Sequence, residues 1–177
     1  VSIDPNVPNP TGPAVIPANY QGAYDATQYL IELGHRRIGY IGGRKDLECA
    51  LQRKQAVEDA QKDAGIPLDP ELMKPGDFLV GSGHECGRAL LTMANAPTAI
   101  FASNDLTAKG VYQAASELNM RIPDDLSVVG YDNIPDAAYM NLTTVDQFIV
   151  EMGYFATHML YDLIQGKPLS DEVHSSD

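Results

Sequence analysis

Short strand-like segments and longer helix-like segments alternate along most of this 177-residue sequence. The run at 98–102 is apolar, uncharged and too short for a helix, which is typical of a strand buried on both faces. Ala23, Ala26 and Leu30 lie near the helical spacing of about 3.6 residues. Alternation of this kind predicts an α/β fold, with a parallel sheet flanked by helices on both faces.

The same patterns give the predicted elements. Helices are predicted at 20–33, 49–64, 85–93, 105–118 and 148–164. Strands are predicted at 37–41, 98–102, 126–131 and 142–145, with a weaker strand ending at 76–78. Asn19 and Asp105 are candidate N-caps of the first and fourth helices. The first 19 residues contain five prolines, which preclude a regular helix and leave room for a short edge strand at Val15-Ile16.

Polar residues collect where the predicted strands end, which is where ligands bind in open parallel sheets. A sugar site needs an arginine fork, an amide and a carboxylate that bind hydroxyl groups, and an aromatic face for the ring. Arg53, Asn104, Asp132 and Phe78 supply these groups. Composition alone favours a solvent-facing position for Arg53 and a core position for Phe78. The prediction of a sugar site therefore rests on the placement of all four residues near strand ends.

Charge restricts the partners of this chain. Twelve Lys and Arg residues stand against 24 Asp and Glu, for a net charge of -12. Because DNA binding relies on basic residues that displace counterions, we expect neither nucleic acid nor an anionic membrane to bind this chain directly. No segment has the roughly 18–20 uncharged apolar residues of a membrane span, and the first residues lack the basic and apolar regions of a signal peptide.

Motifs of the common enzyme classes are absent from the sequence. Gly42-Gly43 follows a predicted strand, but the third glycine of a dinucleotide loop is missing. There is no phosphate-binding loop and no serine nucleophile elbow. Cys49 and Cys86 lie far apart and the four histidines form no cluster, so we expect no metal site. We predict a protein that is not an enzyme and has no cofactor, with a nucleotide-dependent enzyme as the minor alternative.

Several runs resemble the effector-binding region of the lactose/galactose repressor (LacI/GalR) family. They are LGHRRIGYIGG at 33–43, PTAIFASND at 97–105, IPDDLSVVGYD at 122–132, LTTV at 142–145 and Met152-Gly153. These runs follow the order and spacing of the family over nearly the whole chain. The resemblance implies the type I fold of periplasmic sugar-binding proteins, in which two α/β lobes enclose an effector cleft.

The resemblance also divides the chain. It implies that residues 1–18 are a remnant of the N-terminal lobe and crossover and that 19–146 form the C-terminal lobe. Residues 147–177 are then a helix that returns to the N-terminal lobe, with a truncated C-terminal crossover. The DNA-binding helix-turn-helix and most of the N-terminal lobe are absent from this sequence. If the partners of the 148–164 helix belong to the missing lobe, its apolar face is exposed and the chain self-associates.

By position, the resemblance identifies Arg53 as the effector-binding arginine. Asn104 and Asp132 match the amide and carboxylate that bind hydroxyl groups, and Phe78 matches a stacking aromatic residue. The chain departs from the common pattern at three positions, which leaves the identity of the effector open. Leu51 replaces a frequent second arginine, Ala56 a frequent glycine, and Phe148 a common proline or aspartate.

The implied function is effector sensing in a cytoplasmic, homodimeric transcription regulator. The effector is expected to be a sugar or sugar derivative, and it biases how the absent domain binds operator DNA. The dimer interface is expected to involve the helix around 85–93. A periplasmic sugar-binding protein of a transporter shares the fold and is the main alternative, although the runs at 34–38 and 124–132 favour a regulator.

Overall fold

The computed structural model describes residues 1–7 and 10–168, and it confirms the predicted α/β fold. A five-stranded, fully parallel sheet has the order β4-β3-β5-β6-β7. Its strands are β3 (Ile38–Ile41), β4 (Met73–Lys74), β5 (Ala99–Ala102), β6 (Ser127–Asp132) and β7 (Thr143–Asp146). A separate parallel pair joins β1 (Ser2–Ile3) to β2 (Ala14–Val15).

Six α-helices and one short 3₁₀ helix, Pro70–Leu72, occur among the described residues. The α-helices are α1 (Asn19–Glu32), α2 (Glu48–Asp63), α3 (Val80–Leu91), α4 (Asp105–Glu117), α5 (Pro135–Tyr139) and α6 (Ile149–Ile164). No helix in this part of the chain is long and apolar enough to cross a membrane.

The helices cover both faces of the large sheet, so its central strands are buried throughout. Every residue of β3 and β5 is buried, which explains why these strands are uncharged runs rather than alternating patterns. Successive side chains point to opposite faces. Tyr40 therefore packs in the core formed with α1 and α2, while its neighbour Ile41 packs in the core formed with α3 and α4.

Helices α3 and α4 approach each other closely because each carries a glycine at the crossing point. A Cβ atom at Gly83 would lie 2.2 Å from the carbonyl oxygen of Thr107, and one at Gly110 would lie 2.2 Å from the carbonyl oxygen of Val80. No side chain fits at either distance. These glycines are therefore required by backbone contact between the two helices, which outweighs their poor helix propensity.

Two local expectations at the carboxyl edge of the sheet are wrong, and one helix was missed. Strand β4 ends at Lys74 rather than at 76–78. The predicted end of the strand is instead a turn, in which Phe78 adopts a positive φ of 70°. Helix α3 begins at Val80 rather than at 85. Gly81 and Gly83 lower the helix propensity of its first turn, and the contact between Gly83 and α4 offsets part of this cost. The short helix α5 was not predicted.

Both predicted N-caps are also wrong. Asn19 is the first residue of α1 and makes no cap; its side chain is buried elsewhere. Helix α4 is capped by Asn104, whose side chain accepts a hydrogen bond from the Thr107 N–H, and Asp105 is the first helical residue. The predicted edge strand is shifted by one residue, to Ala14–Val15, where it pairs with β1.

Helix α6 packs against the small β1–β2 pair rather than against the large sheet. Val15, Met152 and Ala156 form its buried core. The rest of the helix surface remains strongly apolar, with Val150 82% and Ile164 72% exposed. The proposed division at 18 and 146 stays a prediction, and positions 169–177 of its last segment lie outside the described residues.

Candidate ligand-binding site

Arg53 lies on the inner face of α2 and is almost completely buried, at 3% exposure. Its Nε and Nη2 atoms donate to the Asn19 side-chain oxygen at 3.0 and 2.8 Å. Its Nη1 atom donates to the Ser103 carbonyl oxygen at 2.6 Å. The guanidinium therefore ties α1, α2 and the carboxyl end of β5 together at one point.

Two aromatic rings enclose the same guanidinium. The Cζ atom of Arg53 lies 3.7 Å from the centroid of the Tyr131 ring and 5.9 Å from that of Phe78, within the range of cation–π attraction. The Phe78 ring also covers Gly43, where a Cβ atom would lie 2.0 Å from the ring. The absence of a side chain at Gly43 thus lets the Phe78 ring reach the site.

Asp132 ends β6 and brings a carboxylate to the arginine. Its Oδ1 atom lies 3.5 Å from Nη1 of Arg53, and its side chain is 20% exposed. Gln147 donates a hydrogen bond to the same oxygen. Burial raises the pKa of Asp132 to about 6, and this effect exceeds the opposing influence of Arg53 and Gln147, which favour the charged form.

A buried carboxylate, that of Asp105, fixes the chain that follows Asp132. Its Oδ2 atom accepts from the Ile134 N–H at 2.8 Å, and Oδ1 accepts from the Thr144 hydroxyl at 2.6 Å. Burial raises the pKa of Asp105 as well, against these hydrogen bonds. The turn at Asp132 and Asn133 has positive φ values of 113° and 52°, so it needs such anchoring to persist.

Asn104 connects the end of β5 to the Phe78 segment. Its side-chain oxygen caps α4, and its Nδ2 atom donates to the carbonyl oxygen of Phe78 at 3.2 Å. The structure therefore brings together all four predicted site residues, Arg53, Phe78, Asn104 and Asp132. The polar atoms of Asn104 already have partners within the protein, whereas Asp132 keeps part of its carboxylate exposed.

Sequence reasoning missed three members of the cluster. Asn19 and Gln147 are polar partners of Arg53 and Asp132, and Tyr131 stacks on Arg53. Tyr131 directly precedes Asp132. The alternation of side chains along a strand predicts that these two neighbours point to opposite faces, so Tyr131 was not expected at the site. Asn19 has the residue type of a helix cap, and that local signal concealed its long-range role. Within the part of the chain that the structure describes, no group of metal-ligating side chains is present.

The sequence profile of the family described as periplasmic binding protein-like domain matches residues 27–175. The chain is 40% identical to the HTH-type transcriptional repressor PurR of Yersinia pestis over 166 aligned residues. The aligned region covers 91% of this chain and 49% of that protein. The chain thus spans about half the length of the curated relatives it matches.

Solved structures give the same result. The transcriptional regulator CelR in complex with cellobiose superposes with a TM-score of 0.86 at 34% identity, over 96% of this chain and 53% of that one. The transcriptional repressor ascG of Escherichia coli superposes with a TM-score of 0.86 at 28% identity, over 95% of this chain and 62% of that one. The chain therefore resembles the ligand-binding domain of LacI-family regulators in both sequence and fold.

Proposed function

The chain belongs to the family of periplasmic binding protein-like domains, and on that premise we propose that it senses a small-molecule effector in a LacI-type transcription regulator. The relatives named above are regulators, which favours this role over that of a transporter component or an enzyme. The proposed effector is a sugar or sugar derivative.

The observation that carries the proposal is the cluster of Arg53, Asp132 and Phe78 at the carboxyl edge of the sheet. The partly exposed Asp132 carboxylate accepts hydrogen bonds from hydroxyl groups, and the Arg53 guanidinium lies 3.5 Å from it to balance its charge. The Phe78 ring offers an apolar face beside them. A polyhydroxylated ring needs these three groups together.

Effector binding acts through a population shift. A ligand changes the balance between two arrangements of a protein only by its difference in affinity for them, typically about 1–3 kcal/mol. The net charge of -12 disfavours direct DNA contact by this chain. We therefore assign operator binding to a separate helix-turn-helix domain of the regulator, and effector sensing to the site described above.

A two-fold operator is matched by a homodimer. We place part of its interface on α3, toward its carboxyl end, as the family resemblance implies. On this surface Arg88 pairs with Glu117 of α4 and is 54% exposed. The pair gives the interface a charged component beside the apolar residues of the helix.

A thermal-shift screen of the complete gene product tests the proposal. The panel contains pentoses, hexoses, their phosphates, disaccharides including cellobiose, and purines. A ligand at a hundredfold excess over its dissociation constant stabilises the native state by about 2.7 kcal/mol. Stabilisation by one sugar supports the proposal. Stabilisation by a purine alone overturns the assignment of the effector as a sugar. No response to any compound overturns both that assignment and the proposed effector sensing.

A further inference from the structure

A cavity of about 390 Å³ lies between the first half of α2 and the edge strand β4. Gly42 and Gly43 contribute to its lining, so it adjoins the site described above, but Arg53, Asp132 and Phe78 do not line it. Its volume is within the range of small-molecule sites. Apolar side chains, among them Leu51 and Met73, form much of its surface.

Three lysines line this cavity: Lys45, Lys54 and Lys74. The whole chain has only 12 basic residues and a net charge of -12, so such a concentration of cations is unusual for it. Lys54 pairs with Glu58. Lys45 and Lys74 have no ion pair among residues 1–7 and 10–168. Two ammonium groups are therefore available to attract an anion into a largely apolar space.

Tyr40, whose hydroxyl group is buried, is also among the residues that line the cavity. Tyr40 is 1% exposed, and its hydroxyl has no hydrogen-bond partner among the described residues. The far end of its ring reaches Gly42, where a Cβ atom would lie 3.3 Å from Cε1. Burial raises the pKa of Tyr40, so the hydroxyl stays protonated and is a donor. An unpaired buried donor costs free energy that an acceptor on a ligand would recover.

We propose that this cavity binds a small organic anion, a phosphate or carboxylate group carried on an apolar body, at a site separate from the Arg53–Asp132 cluster. Lys45 and Lys74 attract the anionic group, and the Tyr40 hydroxyl donates a hydrogen bond to it. Leu51 and Met73 pack against the apolar body. Tyr40 and Lys45 come from β3 and the loop after it, and Lys74 comes from the neighbouring strand β4, so two segments of the chain converge on one cavity, which favours a built site over scattered surface charge.

Calorimetric titration of phenyl phosphate into the 177-residue chain tests this site. We expect saturable binding that weakens as salt is raised, because exposed charges are screened. The double variant Lys45→Gln/Lys74→Gln should bind about tenfold more weakly or worse, since it removes both unpaired cations. Tyr40→Phe should fold and bind several-fold more weakly. Lys62→Gln, on α2 but outside the cavity, is the matched control and should bind like the wild type.

Two further results are expected. Asp132→Asn should leave phenyl phosphate binding unchanged, which separates this site from the proposed effector site. Inorganic phosphate should bind more weakly than phenyl phosphate because it lacks the apolar body. Equal binding of phenol, equal binding by the double lysine variant, or no saturable binding of phenyl phosphate would each overturn the proposal.

Discussion

The Nη1 atom of Arg53 lies 3.5 Å from Oδ1 of Asp132, although the two residues come from different elements, α2 and the end of β6. Neither group depends on a ligand for its position. Asn19 and Ser103 hold the arginine, and Gln147 holds the carboxylate. A site ordered in advance loses little conformational entropy on binding, which favours affinity for a small polar ligand.

Arg53 is a structural residue as well as a candidate ligand contact. Arg53→Ala should lower the free energy of unfolding by about 3 kcal/mol or more. It leaves the Asn19 side-chain oxygen, the Ser103 carbonyl oxygen and the partly buried Asp132 carboxylate without their cation. Urea unfolding measures this loss. Arg44→Ala is the control: its ion pair with Asp46 is exposed, so the change should be below about 1 kcal/mol. Equal losses in both variants would contradict the network described here.

Asp132 should titrate near pH 6 in the folded chain. The native state then holds this proton more tightly than the unfolded state, whose carboxyl has an ordinary pKa near 3.8. The contribution of Asp132 to the free energy of unfolding therefore falls as pH rises from about 4 to about 6. Titration of the Asp132 carboxyl carbon by NMR measures the midpoint, and a midpoint near 4 would refute the burial argument.

The same titration has a consequence for stability. Urea unfolding at pH 4.5 and 6.5 should show a smaller pH dependence in Asp132→Asn than in the wild type. Some dependence of the same sign should remain, because burial also raises the pKa of Asp105. An unchanged pH dependence in the variant would show that Asp132 does not contribute.

The contact between α3 and α4 predicts opposite effects for two glycines of one helix. Gly83→Ala should destabilise the chain by about 1–3 kcal/mol, since its Cβ atom would lie 2.2 Å from the Thr107 carbonyl oxygen. Gly81→Ala meets nothing within 4 Å and should be neutral or stabilise by up to about 1 kcal/mol. Thermal unfolding of the two variants compares them directly, and similar melting temperatures would argue against the close crossing.

Helix α6 predicts that the chain self-associates. Val150 is 82%, Tyr154 61% and Ile164 72% exposed, and contiguous apolar surface promotes association. Sedimentation velocity should show a dimer or larger species at high concentration. Val150→Glu should shift the chain toward the monomer, whereas Thr157→Glu on the same helix, where the added charge replaces an already polar side chain, should shift it less. A wild-type monomer at high concentration would contradict this expectation.

The fold was predictable because its signals are local. Buried strands such as β5 are short uncharged runs, and parallel topology follows from the helices between them. The start of α3 was not predictable, because Gly81 and Gly83 lower helix propensity. The contact that requires Gly83 is made with Thr107 of α4, 24 residues further along the chain. Strand β4 was misplaced because a two-residue strand carries almost no periodicity.

The candidate site was predictable only in part. Arg53 and Asp132 could be paired from the rule that strand ends meet at one edge and from the family resemblance. The role of Asn19 could not be predicted, because its residue type fits a helix cap. Its bond to Arg53 joins residues of α1 and α2 that are 34 positions apart in sequence. The role of Asn104 in effector binding stays a prediction: its side chain caps α4 and donates a hydrogen bond to the Phe78 carbonyl oxygen.

The most direct test of the proposed effector site is a calorimetric titration at pH 7.5 of the sugar selected by the thermal-shift screen. The complete gene product is compared with Asp132→Asn and with Asp136→Asn, an exposed carboxylate paired with Lys109. Losing a charged acceptor costs about 1.5–3 kcal/mol, so Asp132→Asn should weaken binding by about tenfold or more while Asp136→Asn binds like the wild type. Equal dissociation constants for Asp132→Asn and the wild type would contradict the assignment.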